Sequence, residues 1–157
     1  MTSPKAPSIH IEAIIARKAP FAVIFRRGPA KRVATIGWNL SDDTFTYGQV
    51  FHGVIEVGAS DLSPDGRFLI YEATTYRSRD RNYRRDCHTA LSYAPYLHAL
   101  DLVFHSNIEL GGGFFLDNRT VYWSNGDMLE RDPENRRQTN LEWRGQCDRP
   151  FGSDPEF

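Results

Sequence analysis

The sequence is sparing with the residues that most often betray a chemistry. It has two cysteines, Cys87 and Cys147, far apart in the chain. A disulfide scaffold carries a denser, evenly spaced set, so both are read as free thiols in a reducing compartment. No C-x-x-C or H-x-x-x-H spacing occurs, so Cys87, His88, His98, His105 and Cys147 form no preorganised zinc site. No Gly-rich phosphate loop followed by Lys-Ser/Thr is present, and no cofactor is expected. No run approaches the roughly 18 apolar residues of a membrane span. The opening MTSPKAPSIH has no apolar signal region, so the expectation is a cytoplasmic protein with no membrane partner. The formal net charge of −1 excludes a global field that would steer the chain to nucleic acid.

What the chain has is apolar bulk. Of its 157 residues 40% are hydrophobic and 13% aromatic, too many for a disordered chain. At this length a single domain buries about two-thirds of the surface that its unfolded form exposes. Residues 8–144 read as a β-rich core, with a flexible tail over 1–7 and a trailing tail over 145–157. Charge is uneven along the chain: residues 1–38 net +6, 39–75 net −5, 76–85 net +4, 86–130 net −5 and the remainder net −1.

The stretch Gly58–Ala73, GASDLSPDGRFLIYEA, organises the reading. Ser63-Pro64-Asp65-Gly66 has Pro second and Gly fourth, the preference of a type I turn, between two apolar runs. Before it, Ser8–Arg17 reads as a β-branched strand, and Phe21–Phe25 as a strand buried on both faces. Val33–Tyr47 reads as a hairpin turning at Ser41-Asp42-Asp43, with Gly48 closing it. Gln49–Val57 reads equally as strand or loop. After it, Thr74–Cys87 reads as a surface loop or a frayed helical turn with five arginines, Tyr96–Phe104 leans to strand over short helix, and Phe114–Trp123 is a second hairpin turning at Asp117-Asn118. Asp127–Gln138 reads as helix or loop, and Asn140–Arg144 as the last strand. The fold class is mainly β, antiparallel hairpins in an open or sandwich-like sheet, with α+β as the alternative.

Asp65-Gly66-Arg67-Phe68-Leu69-Ile70-Tyr71 is echoed by Asp117-Asn118-Arg119-Thr120-Val121-Tyr122-Trp123, and repeats of this order are what propeller blades produce. LSPDGRFLIY resembles the inner hairpin of Tol-system and WD-repeat propeller blades. The resemblance implies blade-like hairpins, but the chain is too short for a closed ring of four or more blades, so it is expected as an open piece or as part of a ring completed by association. More narrowly, Ala16–Pro20, Ala22–Pro29 (AVIFRRGP), Trp38, Leu62–Tyr71 and Gly111–Asn118 (GGGFFLDN) resemble a family of uncharacterised bacterial proteins, a likeness that implies no activity.

Two basic stretches are the candidate binding residues. Arg26, Arg27, Lys31 and Arg32 surround a Gly-Pro bend that suits a phosphate or carboxylate, or merely solvates a turn. Arg77, Arg79, Arg81, Arg84 and Arg85, interleaved with Tyr76 and Tyr83, have the cation-and-aromatic mixture that binds phosphate backbones or acidic proteins, diluted by Asp80 and Asp86. Asp42, Asp43, Asp61 and Asp65 sit where turn chemistry already explains them. Trp38, Trp123 and Trp143 are core or sheet-face residues. The leading expectation is a non-enzymatic binding module acting on another, acidic, protein. The alternatives are a small hydrolase using Cys87 or a His/Asp pair, and a nucleic-acid-binding protein.

Overall fold

The computed structural model describes residues 8–75, 87–105, 111–124, 128–131 and 142–145. In chain order the strands are β1 (His10–Ile15), β2 (Phe21–Gly28), β3 (Arg32–Asn39), β4 (Thr44–His52), β5 (Val54–Leu62), β6 (Phe68–Thr74), β7 (Cys87–Tyr93), β8 (Ala99–His105), β9 (Gly113–Phe115), β10 (Thr120–Trp123), β11 (Met128–Arg131) and β12 (Glu142–Gly145). They make three sheets: β1-β2-β3-β4, β11-β8-β7-β6-β5, and β12-β10-β9. The first two are wholly antiparallel. The mainly β, open-sheet architecture expected from the sequence is what forms, and among the described residues no sheet closes into a barrel or propeller. Among the described residues no helix is long and apolar enough to cross a membrane.

The five-stranded sheet is the middle layer. Side chains alternate across a strand, so Leu69, Tyr71 and Ala73 of β6 enter one core with Val23, Phe25 and Val33 of the four-stranded sheet. Phe68 and Ile70 enter a second core with Phe115, Val121 and Trp123 of the three-stranded sheet. Every residue of β6 is therefore buried. Each fully buried Leu or Ile side chain stabilises the fold by about 1.5–3 kcal/mol. Tyr71 is held in this interior with its hydroxyl donating to Leu97 O at 2.8 Å, and burial pushes its phenol well up from the ordinary range.

The turn that launches β6 is built by its own sequence. Gly66 N donates to Ser63 O at 2.8 Å, and Gly66 has φ +75°, which a side chain would disfavour. Asp65 Oδ1 accepts Ser63 Oγ at 2.6 Å and Arg67 N at 3.1 Å. The echoed turn uses the same device, with Asp117 Oδ1 accepting Arg119 N and Thr120 N, each at 2.7 Å. The two turns also touch, Asp65 N donating to Asn118 Oδ1 at 3.0 Å.

Several local expectations are corrected. Gly48 does not close a hairpin, because β4 runs through it to His52 with an irregular register opposite Thr35. There a Cβ at Gly48 would strike Thr35 Oγ1 and Pro95 O, so the strand passes where only glycine fits. The Gln49–Val57 ambiguity resolves as two strands meeting at Gly53. Phe21–Phe25 is buried unevenly on its two faces: Val23 and Phe25 face the core, while on the opposite face Ala22 is buried and Ile24 stays half-buried. Met128–Arg131 is a strand where helix or loop was expected, and β12 lies parallel to β10 while every other pairing among the described residues is antiparallel.

Candidate functional site

The fold divides the predicted cationic bend between the two faces of its sheet. Arg26 and Arg27 are neighbours on β2, so they point to opposite faces. Arg27 turns inward, donating to Ile55 O at 2.9 Å and lying 3.6 Å from Glu12, which uses it to tie the outer sheet to the middle one. Arg26 and Arg32 are exposed and share the outer face by register, Arg26 opposite Ala34 and Arg32 opposite Gly28. Between them the turn places Ala30 and Lys31 at φ +62° and +52°, left-handed conformations that cost a non-glycine residue about 1 kcal/mol or more. Tyr76, Arg77, Arg79, Arg81, Tyr83, Arg84 and Arg85 lie outside the described residues.

The outer face that carries Arg26 is apolar on every strand. Its residues follow from the register: Ile11, Ala13 and Ile15 on β1 pair with Arg26, Ile24 and Ala22 on β2. These pair in turn with Ala34, Ile36 and Trp38 on β3, and those with Val50, Tyr47 and Phe45 on β4. Of these twelve positions only Arg26 is charged. Tyr47 is 83% exposed, Ile11 66%, Ile15 60%, and Phe45 and Val50 58% each. Trp38 and Phe45 stack with centroids 5.8 Å apart, and Trp38 Nε1 donates to Asp43 Oδ1 at 3.0 Å. Single exposed apolar residues are ordinary on a protein surface, but a contiguous apolar sheet face is the mark of an interaction site. The sequence held this signal in the alternation of Thr44–Tyr47, whose aromatic residues turn outward because they pair with Ile36 and Trp38 across β3.

At one end of the face stands the β2–β3 turn with Lys31 and Arg32, and at the other the β3–β4 turn with Asp42 and Asp43 beside Arg17 and Lys18 of the β1–β2 turn, all exposed. Asp42 caps its own turn, accepting Thr44 N at 3.1 Å and Thr44 Oγ1 at 2.7 Å.

Two other features were weighed. A cleft of about 620 Å³ opens beside the irregular stretch of β5, lined by Arg17, Ala59, Asp61, Phe114 and Tyr122 among others. Its charged groups are already engaged: Asp61 Oδ2 accepts Phe115 N at 2.7 Å and sits 3.4 Å from Arg17, which also donates to Phe115 O. They fasten β9 to β5.

The second feature is a buried polar row on the middle sheet. Glu72 and Thr89 are register partners; Glu72 Oε1 accepts Gly111 N at 3.1 Å, and Thr89 Oγ1 accepts Gly112 N at 2.7 Å while lying 2.7 Å from His105 Nε2. Gly112 has φ +88°, and a Cβ there would strike Ala59 O, so this docking needs glycine. Burial raises the Glu72 carboxyl to about 7, against the pull of the Gly111 hydrogen bond and with a further push from Glu56. Burial lowers His88, with help from His105, to about 4, and lowers His105 as well. The register sets Cys87 opposite His105, and Cys87 accepts a contact from Thr74 Oγ1 at 3.5 Å. His88 packs edge-on to Phe51 and Phe104. No group of three His, Cys, Asp or Glu able to hold a metal occurs among the described residues.

Comparison with known proteins found no matching family model, no matching curated protein and no matching solved structure.

Proposed function

We propose that this chain is a β-rich protein-binding module whose docking surface is the outer face of the β1–β4 sheet, with Arg26 and the cationic β2–β3 turn at its rim. The observation that supports the reading is the face itself: apolar on all four strands, with Tyr47 at 83% exposure. Such a face is costly to leave in water and is covered in use. The partner presents its own apolar surface, with acidic groups placed to meet the cationic end. This relocates binding from the Arg77–Arg85 loop to the sheet, with Arg26 and Arg32 retained and Arg27 removed to an internal role.

The test is retention of partners on the immobilised full chain, comparing wild type with Tyr47→Lys and with the combined Arg79/Arg81/Arg84/Arg85→Ala variant. The reading expects the retained set to disappear with Tyr47→Lys and to survive the arginine variant. Retention untouched by Tyr47→Lys overturns it.

A further inference from the structure

We infer that the cleft between β5 and the three-stranded sheet is a binding site for a neutral sugar, whose apolar C–H face packs on Phe114 and whose hydroxyls meet Arg17 and Asp61. The inference goes beyond the docking reading, since none of the twelve outer-face positions lines this cleft.

An irregular strand makes the cleft. β5 pairs Glu56 with Glu72 and Asp61 with Ile70, so Val57–Ser60 stand opposite Tyr71 alone. A strand with such an excess bends out of its ladder and re-aims the side chains that follow. Gly58, Ala59, Ser60 and Asp61 line one wall, and Phe114 and Tyr122 line the other. Phe114 and Tyr122 are register partners, their ring centroids 5.2 Å apart and their planes 25° from parallel. Their strand neighbours Phe115, Val121 and Trp123 fill the second core, so the paired rings take the opposite, outward face, where Phe114 is 47% exposed. The volume of about 620 Å³ lies within the roughly 300–1,000 Å³ of small-molecule sites.

The polar groups beside the rings are held in fixed places. Asp61 Oδ2 accepts Phe115 N at 2.7 Å, and Arg17 Nη2 donates to Phe115 O and to Asp61 Oδ2, the latter at 3.4 Å. Both charges are thus anchored to the residue that follows the exposed ring. These bonds use one oxygen of Asp61 and one nitrogen of Arg17. Asp61 Oδ1 and Arg17 Nε and Nη1 make no bond among the described residues, and the Arg17 side chain is 49% exposed. An acceptor and a set of donors therefore stand side by side next to an aromatic ring.

That combination selects the ligand. A carboxylate only accepts and a guanidinium only donates, whereas a hydroxyl does both and turns to suit, so adjacent hydroxyls of one sugar ring satisfy both groups. An anion drawn to Arg17 meets the Asp61 carboxylate, and a cation drawn to Asp61 meets the guanidinium, so the pair favours a ligand without net charge. The C–H face of the sugar ring covers the exposed part of Phe114 by dispersion contact.

The test is saturation-transfer difference NMR on the full chain with the methyl glycosides of D-glucose, D-galactose, D-mannose and N-acetyl-D-glucosamine. Each is supplied at about 5 mM, because ligands of this size bind with Kd on the order of 1 mM. Ring C–H protons of at least one glycoside are expected to receive saturation. Two variants attack opposite walls. Phe114→Ser removes the platform, and Gly58→Leu fills the cleft from β5, where a Cβ meets only Glu56 Oε1 at 3.9 Å and a side chain is accommodated. Each is expected to lower the signal at least about fivefold, while Phe114→Tyr and the outer-face variant Tyr47→Lys keep it. Absence of saturation for all four glycosides overturns the inference, as does a signal that survives either Phe114→Ser or Gly58→Leu. Adenosine at the same concentration is the rival neutral ligand, and saturation of adenosine without any glycoside also overturns it. None of these results bears on partner retention by the outer face, which Tyr47→Lys reads separately.

Discussion

The middle and outer sheets start from nearly the same sequence signal and end in different surroundings. Phe68–Ala73 (FLIYEA) and Phe21–Phe25 (FAVIF) are both short continuous apolar runs, the pattern of a strand with both faces covered. In β6 the pattern is fulfilled, with one face on the four-stranded sheet and the other on the three-stranded sheet. In β2 it is fulfilled on one side, and Ile24, Ile36, Phe45 and Tyr47 have the chemistry of an interior on a face without a covering layer among the described residues. The difference teaches that one apolar pattern serves a strand covered twice and, among the described residues, a strand covered once.

Substitutions at matched depth break the comparison most forcefully. Ile70→Ala, at a site with no exposure, should cost about 2–5 kcal/mol of unfolding free energy through lost burial and a cavity. Ile11→Ala, at 66% exposure, should stay within about 0.5 kcal/mol in urea titrations. Equal losses at the two sites would mean that the outer face is already packed.

The pH dependence of stability sharpens the contrast next, because the titrating interior belongs to the middle sheet. Glu72 is raised from 4.5 to about 7, so the folded state keeps a proton that the unfolded chain releases, and stability falls as pH rises through that window. His88 is lowered from 6.5 to about 4, so the unfolded chain binds a proton that the folded state refuses, and stability falls as pH drops below 6.5. The two slopes oppose each other between about 4.5 and 6.5. Glu72→Gln, which keeps an acceptor for Gly111, should remove one of them. Its stability is then expected to rise from pH 4 to 6.5 and level off, the difference from wild type growing by roughly 3 kcal/mol up to pH 7.5. Parallel profiles for the two proteins would contradict the buried, protonated carboxyl.

The smallest expected effect compares the echoed turns. Asp65→Ala strands the hydroxyl of Ser63, which has no exposure, and should cost about 1–3 kcal/mol. Asp117→Ala releases the backbone N–H groups of Arg119 and Thr120 and the long 3.2 Å bond from the Thr120 hydroxyl, and should cost about 0.5–1 kcal/mol in the same titrations. The reverse order would place the organising turn in the wrong hairpin.

How much was legible in the sequence follows from which forces act locally. Ser63-Pro64-Asp65-Gly66 and Asp117-Asn118 announce their turns because the side chain of each Asp satisfies its own neighbouring backbone. The 52-residue echo between them therefore reflects shared turn chemistry, and the contact from Asp65 N to Asn118 Oδ1 adds a spatial link that no pattern shows. Stacking order is another matter. Nothing in FAVIF distinguishes a strand covered twice from one covered once, because the covering layer is contributed by residues far away in the chain. The cationic bend is divided for a related reason. Arg26 and Arg27 look like one cation cluster in sequence, yet the two-residue period of the strand sends them to opposite faces. Glu72, Thr89 and His105 come from three strands, and only the register gathers them.

The outer face as an interface is tested most directly by hydroxyl-radical footprinting of the wild-type chain alone and in complex with the partners that it retains. Tyr47 and Val50 report the outer face, and Leu116, 53% exposed next to β9 on the far layer, is the internal control. Oxidation of Tyr47 and Val50 is expected to fall steeply in the complex while that of Leu116 holds constant. Labelling of Tyr47 that tracks Leu116 in both states would contradict the account.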